Sequence, residues 1–197
     1  MIDRYAAFAR ALRMEPGHTA LLVVDMQRSF VEPGQPMEVP PAREIVPVIQ
    51  ALLHGFRLHH LPVAFSEFTS PSSAPGRAAV MIARDDDAGT RTIEVLTPRA
   101  GELVVRKRWY DAFAGTELDA ELRARGVTSL VISGTMTDVC VLSTVVGAFN
   151  RDYRISVVED GVATLWPDIQ RTTLDIVSRA FGRVVQSKEV LDTISSW

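Results

Sequence analysis

The chain has a single cysteine, Cys140, at the point where an apolar strand pattern changes into a helix pattern. The apolar run 130–132 predicts a buried strand, and 139–149 predicts a helix with Thr137 as its N-cap. A thiol in the first turn of a helix faces unpaired N–H groups and the positive end of the helix dipole, which favour the nucleophilic thiolate. A free cysteine is also commonly an inert core thiol, so its position alone leaves both interpretations open.

The elements that must position Cys140 alternate between strand and helix patterns. Strands are predicted at 20–25, 62–66, 102–107, 129–133, 154–159 and 183–186, and helices at 43–60, 116–125, 139–149 and 167–180. Such alternation predicts an α/β fold in which helices cover both faces of a mainly parallel sheet. We expect one domain over residues 1–197, with three αβα layers and a six-stranded Rossmann-like sheet. The long polar segment 68–92 predicts a functional loop or lid.

Reactive groups follow three of these strands. Asp25 ends the first strand, Lys107 ends the third and Cys140 follows the fourth. Parallel sheets of this kind bind ligands beyond the carboxyl ends of their strands, so these three residues are predicted to converge. Taken singly, Asp25 reads as a turn-capping acid and Lys107 as one cation of a solvated basic run. Their shared edge of the sheet favours a functional interpretation.

The histidines do not reach this edge. They lie within a predicted helix or before strands, at His18, His54, His59 and His60. This placement argues against a Cys-His dyad, a Ser-His-Asp triad and a histidine metal site. Without a histidine nearby, a nucleophilic Cys140 needs another base, and Asp25 is the candidate. Lys107 favours the charged forms of both groups, and backbone N–H groups near Cys140 stabilise an oxyanion. These parts suit attack on a carbonyl followed by hydrolysis of an acyl-enzyme.

Composition excludes several classes of function. A net charge of −3 gives no reason to expect nucleic acid or a membrane surface as partner. One cysteine excludes an internal disulfide framework and fits a reducing compartment, and no apolar run reaches membrane-spanning length, so we expect a cytoplasmic protein. The first strand leads into 25–30 without a Gly-rich phosphate turn, which disfavours a nucleotide-binding oxidoreductase.

Three motifs resemble those of the isochorismatase-like cysteine hydrolases. They are Leu-Val-Val-Asp-Met-Gln at 22–27 with Phe30, Lys-Arg-Trp-Tyr-Asp-Ala-Phe at 107–113, and Gly-Thr-Met-Thr-Asp-Val-Cys-Val at 134–141. Val-Val-Glu-Asp at 157–160 is similar to the family's following strand, and the resemblance runs from about 20 to 180. It implies a six-stranded parallel sheet, a catalytic triad of Asp25, Lys107 and Cys140, and a homo-oligomer, either dimer or tetramer.

The resemblance carries two further implications. It implies a cis peptide bond between Thr135 and Met136, with the backbone N–H groups of Met136 and Cys140 forming the oxyanion hole. The metal motif of the nicotinamidases is absent from 66–70, where Glu67 alone makes a poor metal site. We therefore expect no metal and no cofactor. Retention of Cys140 favours C–N hydrolysis over the vinyl-ether hydrolysis of the isochorismatases proper.

Substrate contacts are predicted from proximity to the candidate catalytic residues, at Gln27, Phe30, Trp109 and Tyr110. Three arginines of the 68–92 loop are candidates for clamping a substrate carboxylate, namely Arg77, Arg84 and Arg91. The sequence thus predicts a metal-independent hydrolase of a small amide, carbamoyl or ureide-like molecule. Two alternatives stay open: a vinyl-ether hydrolase with Asp25 as general acid, and a non-catalytic, redox-sensing member of the fold.

Overall fold

A computed structural model describes residues 12–35, 37–70 and 88–197 of the chain. These residues form a six-stranded sheet in the order β3-β2-β1-β4-β5-β6, and every neighbouring pair is parallel. The strands are β1 (Thr19–Val24), β2 (Val63–Phe68), β3 (Leu103–Lys107), β4 (Ser129–Thr135), β5 (Arg154–Ala163) and β6 (Arg183–Val185). The predicted α/β fold is therefore confirmed. Arg77 and Arg84 lie outside the described residues.

Helices cover both faces of the sheet. They are α1 (Arg28–Val31), α2 (Val46–Leu58), α3 (Leu118–Ala124), α4 (Leu142–Phe149), α5 (Pro167–Ala180) and α6 (Ser187–Ser195). Short 3-10 turns occur at Pro40–Arg43, Ala88–Thr90 and Glu94–Leu96. Within the described ranges, no helix combines the length and the apolar character needed to cross a bilayer.

Because side chains alternate between the two faces of each strand, the hydrophobic core is divided into two layers, one on each side of the sheet. In β1, Leu21 and Val23 point into a cluster with α2 and α6, whereas Leu22 and Val24 point into a cluster with α3, α4 and α5. Successive side chains of a strand face opposite sides, so a strand that is apolar throughout must be covered on both faces. This explains why β1 is buried along its whole length.

The strand order places a crevice above the centre of the sheet. The chain builds outward from β1 to β3 and then returns to the other side of β1 with β4, so the order reverses between β1 and β4. Connections from the two strands leave in opposite directions at such a point, which opens a ligand-binding crevice at their carboxyl ends. Asp25 and Cys140 follow these two strands.

Two local predictions are wrong. Thr137 does not cap the helix, because its hydroxyl donates to Gln170 Oε1 at 2.6 Å and Met136 occupies the N-cap position. Cys140 lies in a π-helical turn, Thr137–Val141, that precedes α4 (the Cys140 turn), instead of in the first turn of an α-helix. Helix α6 was not predicted from the sequence.

Gly134 allows β4 to approach β1 at the crevice. Its φ is +119°, and a Cβ built there would lie 2.0 Å from the carbonyl oxygen of Val24. The pairing of β4 with β5 also shifts register between Ile132 and Gly134. Only glycine fits both the positive φ and the close approach to Val24, because it has no side chain.

We expect Gly134→Ala to lower the free energy of unfolding by about 3 kcal/mol or more, because strain and a backbone clash act together. Gly101→Ala is the matched control: Gly101 also has a positive φ, of +90°, but nothing lies within 4 Å of its Cβ position. Urea unfolding of both variants measures the difference. Equal losses in the two variants would contradict the role assigned to the close approach.

Candidate active site

Asp25 is held at the carboxyl end of β1 by β2. Its backbone N–H donates to the Ser66 carbonyl at 3.1 Å, and the Ser66 hydroxyl donates to Asp25 Oδ1 at 2.6 Å. Its φ of 50° lies in the left-handed region, which aspartate tolerates better than most residues and which is common at functional sites. The carboxylate therefore has one oxygen fixed by Ser66 and the other directed elsewhere.

Lys107 meets that second oxygen. Its Nζ lies 2.8 Å from Asp25 Oδ2, and the two side chains are 0% and 1% exposed. The contact is a buried ion pair, and Nζ also donates a hydrogen bond to the Tyr110 carbonyl at 2.7 Å. Burial opposes the charge of Lys107, but the Asp25 carboxylate outweighs it and raises the pKa of Lys107. The ammonium is thus charged and anchored.

Cys140 completes the cluster. The residue is 7% exposed, and its thiol interacts electrostatically with both Asp25 and Lys107. Burial raises the pKa of the Cys140 thiol, the Asp25 charge raises it further, and Lys107 opposes both. The expectation of a resting thiolate is therefore wrong: the helix terminus is outweighed by desolvation and by the neighbouring carboxylate. The resting site holds a neutral thiol beside a base.

The Cys140 turn is tied to the strand and helix that follow it. Thr137 binds Gln170, whose Nε2 donates to the Val162 carbonyl at 2.9 Å, and Asp138 accepts a hydrogen bond from Thr164. The Thr135–Met136 peptide bond is cis. The Met136 carbonyl accepts hydrogen bonds from the N–H groups of Val139 and Val141, at 3.1 and 3.0 Å. Contacts from β5 and α5 thus position the turn.

A cavity of about 150 Å³ opens beside the thiol. Among the described residues it is lined by Phe30, Met37, Phe68, Tyr110, Thr135, Met136, Val139 and Cys140. Two predicted substrate contacts, Phe30 and Tyr110, are in this wall. Phe68 was missed, although it ends β2 and could have been found by the same edge argument. Met37 lies within a Pro/Gly-rich loop and had no sequence signal.

The other two predicted substrate contacts lie outside the cavity wall. The Gln27 amide donates to the carbonyls of Phe68 and Thr90, at 2.9 and 2.7 Å, and accepts from the Phe68 N–H at 2.7 Å. This side chain holds the end of β2 against the 88–92 segment. Trp109 is half-exposed and packs near Gly115.

Glu67, the acid at the end of β2, is bound by protein groups. One carboxylate oxygen accepts hydrogen bonds from the Thr92 N–H and hydroxyl, at 2.9 and 3.1 Å, and the other lies 3.5 Å from Arg91 Nη1. In the part of the chain that the structure describes, no three His, Cys, Asp or Glu residues are grouped so as to hold a metal ion.

Comparisons with known proteins agree on one family. The family model described as Isochorismatase domain matches residues 19–189. The ureidoacrylate amidohydrolase RutB of Methylobacterium radiotolerans is 30% identical over 201 residues, which cover 88% of this chain and 78% of the relative.

Solved structures give the same result. A cysteine hydrolase from Pseudomonas syringae pv. phaseolicola 1448A superposes with a TM-score of 0.88 at 31% identity, over 93% of this chain and 95% of the other. An N-carbamoylsarcosine amidase from Thermoplasma acidophilum superposes with a TM-score of 0.78 at 32% identity, over 86% and 96% of the two chains.

The buried ion pair predicts strong coupling between Asp25 and Lys107. Lys107→Met leaves a buried carboxylate without its counter-charge, so we expect it to lower the free energy of unfolding by about 3–5 kcal/mol. Asp25→Asn combined with Lys107→Met removes both charges and should recover much of that loss. Urea unfolding of the wild type, both single variants and the double variant measures the coupling. Strictly additive losses would contradict it.

The raised thiol pKa predicts unusual labelling by iodoacetamide. The alkylation rate of Cys140 should still rise with pH above about pH 9, where an ordinary thiol of pKa about 8.5 is already mostly ionised. Asp25→Asn removes the charge that disfavours the thiolate, so its profile should move to lower pH, and Lys107→Met should move it to higher pH. A wild-type rate that levels off below pH 8 would indicate a resting thiolate instead.

Proposed function

This chain belongs to the isochorismatase family, and from that premise we propose that it is a metal-independent cysteine hydrolase of a small amide, carbamoyl or ureide-like substrate. The relatives named as amidohydrolase and amidase support its assignment as a hydrolase of non-peptide C–N bonds. The observation that carries the mechanism is the buried cluster of Asp25, Lys107 and Cys140 at a cavity.

In the first step Asp25 acts as a general base. Its Oδ2 takes the thiol proton as Cys140 Sγ attacks the substrate carbonyl carbon, and the carbonyl π electrons move onto the oxygen. Lys107 stays protonated and interacts with the thiolate that forms. A neutral thiol that ionises only during attack fits the raised pKa of Cys140.

Collapse of the tetrahedral intermediate breaks the C–N bond. Asp25 returns its proton to the nitrogen, ammonia or an amine leaves, and a thioester remains on Cys140. Water then attacks the thioester with Asp25 again as base, which releases the acid and restores the thiol. We assign the oxyanion to the backbone N–H groups of Met136 and Cys140, and Met136 lies in the cavity wall beside the thiol.

The protein groups around Glu67 support a metal-independent reaction. Its carboxylate is occupied by Thr92 and neighboured by Arg91, and Arg106 Nε lies 3.9 Å away. Two cations beside a carboxylate disfavour a divalent ion at the same place. We therefore propose that the reaction needs no metal ion.

We extend the proposal to the organisation of the protein. Residues 1–197 are assigned to one domain, in agreement with a family match that spans most of that length. A homo-oligomer is also proposed, because exposed apolar side chains cluster where β5 meets α5, at Leu165, Trp166 and Ile169. Apolar side chains exposed together are typical of protein interfaces.

Ammonia release from a panel of simple amides, ureido acids and nicotinamide tests the activity. Cys140→Ser should lower kcat/KM by more than about 1,000-fold, because the thiol and its base act as one unit. Asp25→Asn should cause a similar loss, and combining the two should add little. EDTA should have no effect on the wild-type rate.

Gly101→Ala is the matched control for these variants, since this residue lies far from the cluster in an open turn. Release that persists in Cys140→Ser would contradict the acyl-enzyme. Hydrolysis of a vinyl ether by Cys140→Ser, without amide turnover by the wild type, would favour the isochorismatase reaction.

A further inference from the structure

The walls of the cavity are apolar. Phe30, Met37, Phe68, Met136 and Val139 contribute aromatic, thioether and aliphatic surface around the thiol. The hydroxyl of Thr135, which also lines the cavity, is engaged elsewhere, since it donates to the Ala163 carbonyl at 3.1 Å. Most of the surface that meets a bound molecule therefore offers no hydrogen bond.

The charge of the site is already paired. The nearest cation, Lys107, is fully buried and committed to Asp25 and to the Tyr110 carbonyl. Over the described ranges 12–35, 37–70 and 88–197, no arginine and no other lysine lines the cavity. Among these described residues, a carboxylate on the substrate would lose its water of hydration without finding a cation to pair with, which is strongly unfavourable.

The volume limits the size of the acyl group. An apolar protein cavity of about 150 Å³, the same volume as this one, is large enough to take up benzene. Because Sγ must reach the carbonyl carbon, the group attached to that carbon has to fill the rest of the cavity. Since the carbonyl occupies part of this volume, the group attached to it is smaller than a six-membered ring.

We infer that the substrate is an uncharged amide with a small apolar acyl group. This inference rests on the proposed cysteine-hydrolase function and narrows it. The chain cleaves such an amide to ammonia or an amine and the corresponding carboxylic acid. Its substrate class therefore differs from that of its relative named for ureidoacrylate, which carries a carboxylate.

A matched pair of amides tests the charge preference. Isovaleramide and malonamate have the same arrangement of heavy atoms, but malonamate carries a carboxylate in place of the isopropyl group. The wild type should cleave isovaleramide with a kcat/KM at least about 100-fold higher, because burying the charge is costly.

A matched pair of variants tests whether the wall sets this preference. Met37→Arg places a cation in the wall, and Met37→Gln changes polarity at similar length without charge. The arginine variant should reduce the preference for isovaleramide over malonamate by about tenfold, and the glutamine variant should do so much less. Equal effects of the two variants would contradict contact between this wall and the acyl group.

The outcomes separate this inference from the proposed function. If malonamate or N-carbamoylglycine is the better substrate and its turnover is lost in Cys140→Ser, the cysteine hydrolase stands and the apolar substrate class is overturned. Absence of turnover with every amide would overturn the proposed function.

Binding to Cys140→Ser decides the substrate class independently of turnover. Ligand-observed NMR should detect isovaleramide on this variant, with malonamate bound at least about tenfold more weakly. Equal binding of both amides, or binding of neither, would overturn the inference.

Discussion

The buried ion pair between Asp25 and Lys107 is the interaction on which the site depends. The two residues end β1 and β3, which are separated by β2, so their backbones lie about 10 Å apart. A long lysine side chain spans that distance, and the small Ser66 of β2 lies at the crossing and donates to the same carboxylate. Either charge buried alone would be very costly, so the three strands must assemble in this order and register for the site to exist.

Pairing these charges also determines the state of the nucleophile. A carboxylate and an ammonium beside each other leave no net charge, and a thiolate added to them would be a third buried charge. Burial and Asp25 therefore keep Cys140 protonated, whereas Lys107 limits how far the equilibrium is shifted. In the mechanism that we propose, Asp25 is the base beside this neutral thiol, and the proton moves only when an electrophile is present to accept the sulfur electrons.

The charged cluster and the apolar cavity are two halves of the same site. The charged pair, Asp25 and Lys107, is buried at the ends of the strands and is not part of the described cavity wall. That wall consists mainly of aromatic, thioether and aliphatic side chains. Water in such a cavity makes few hydrogen bonds, and electrostatic interactions across a dry site are stronger than in water. An amide carbonyl that enters this space therefore meets a strong field with little solvent to screen it.

Much of this architecture could be predicted from the sequence, because hydrophobic periodicity and the residues that begin and end each element are local properties of the chain. The continuous apolar run that leads into Asp25 required a strand covered on both faces, and the rule for parallel sheets placed Asp25, Lys107 and Cys140 at one edge. The sequence by itself thus determined the fold class, the strands and the three residues that meet.

Tertiary structure alone decided how those residues behave. Threonine is a common helix-capping residue, but the Thr137 hydroxyl instead donates a hydrogen bond to Gln170, which lies in a later helix. The thiol had a position that favours ionisation, but its burial and its contact with Asp25 reversed the sign of the pKa shift. Met37 and Phe68 joined the cavity wall, whereas Trp109 stayed half-exposed outside it. Desolvation and side-chain contacts depend on neighbours distant in sequence, and no local pattern records them.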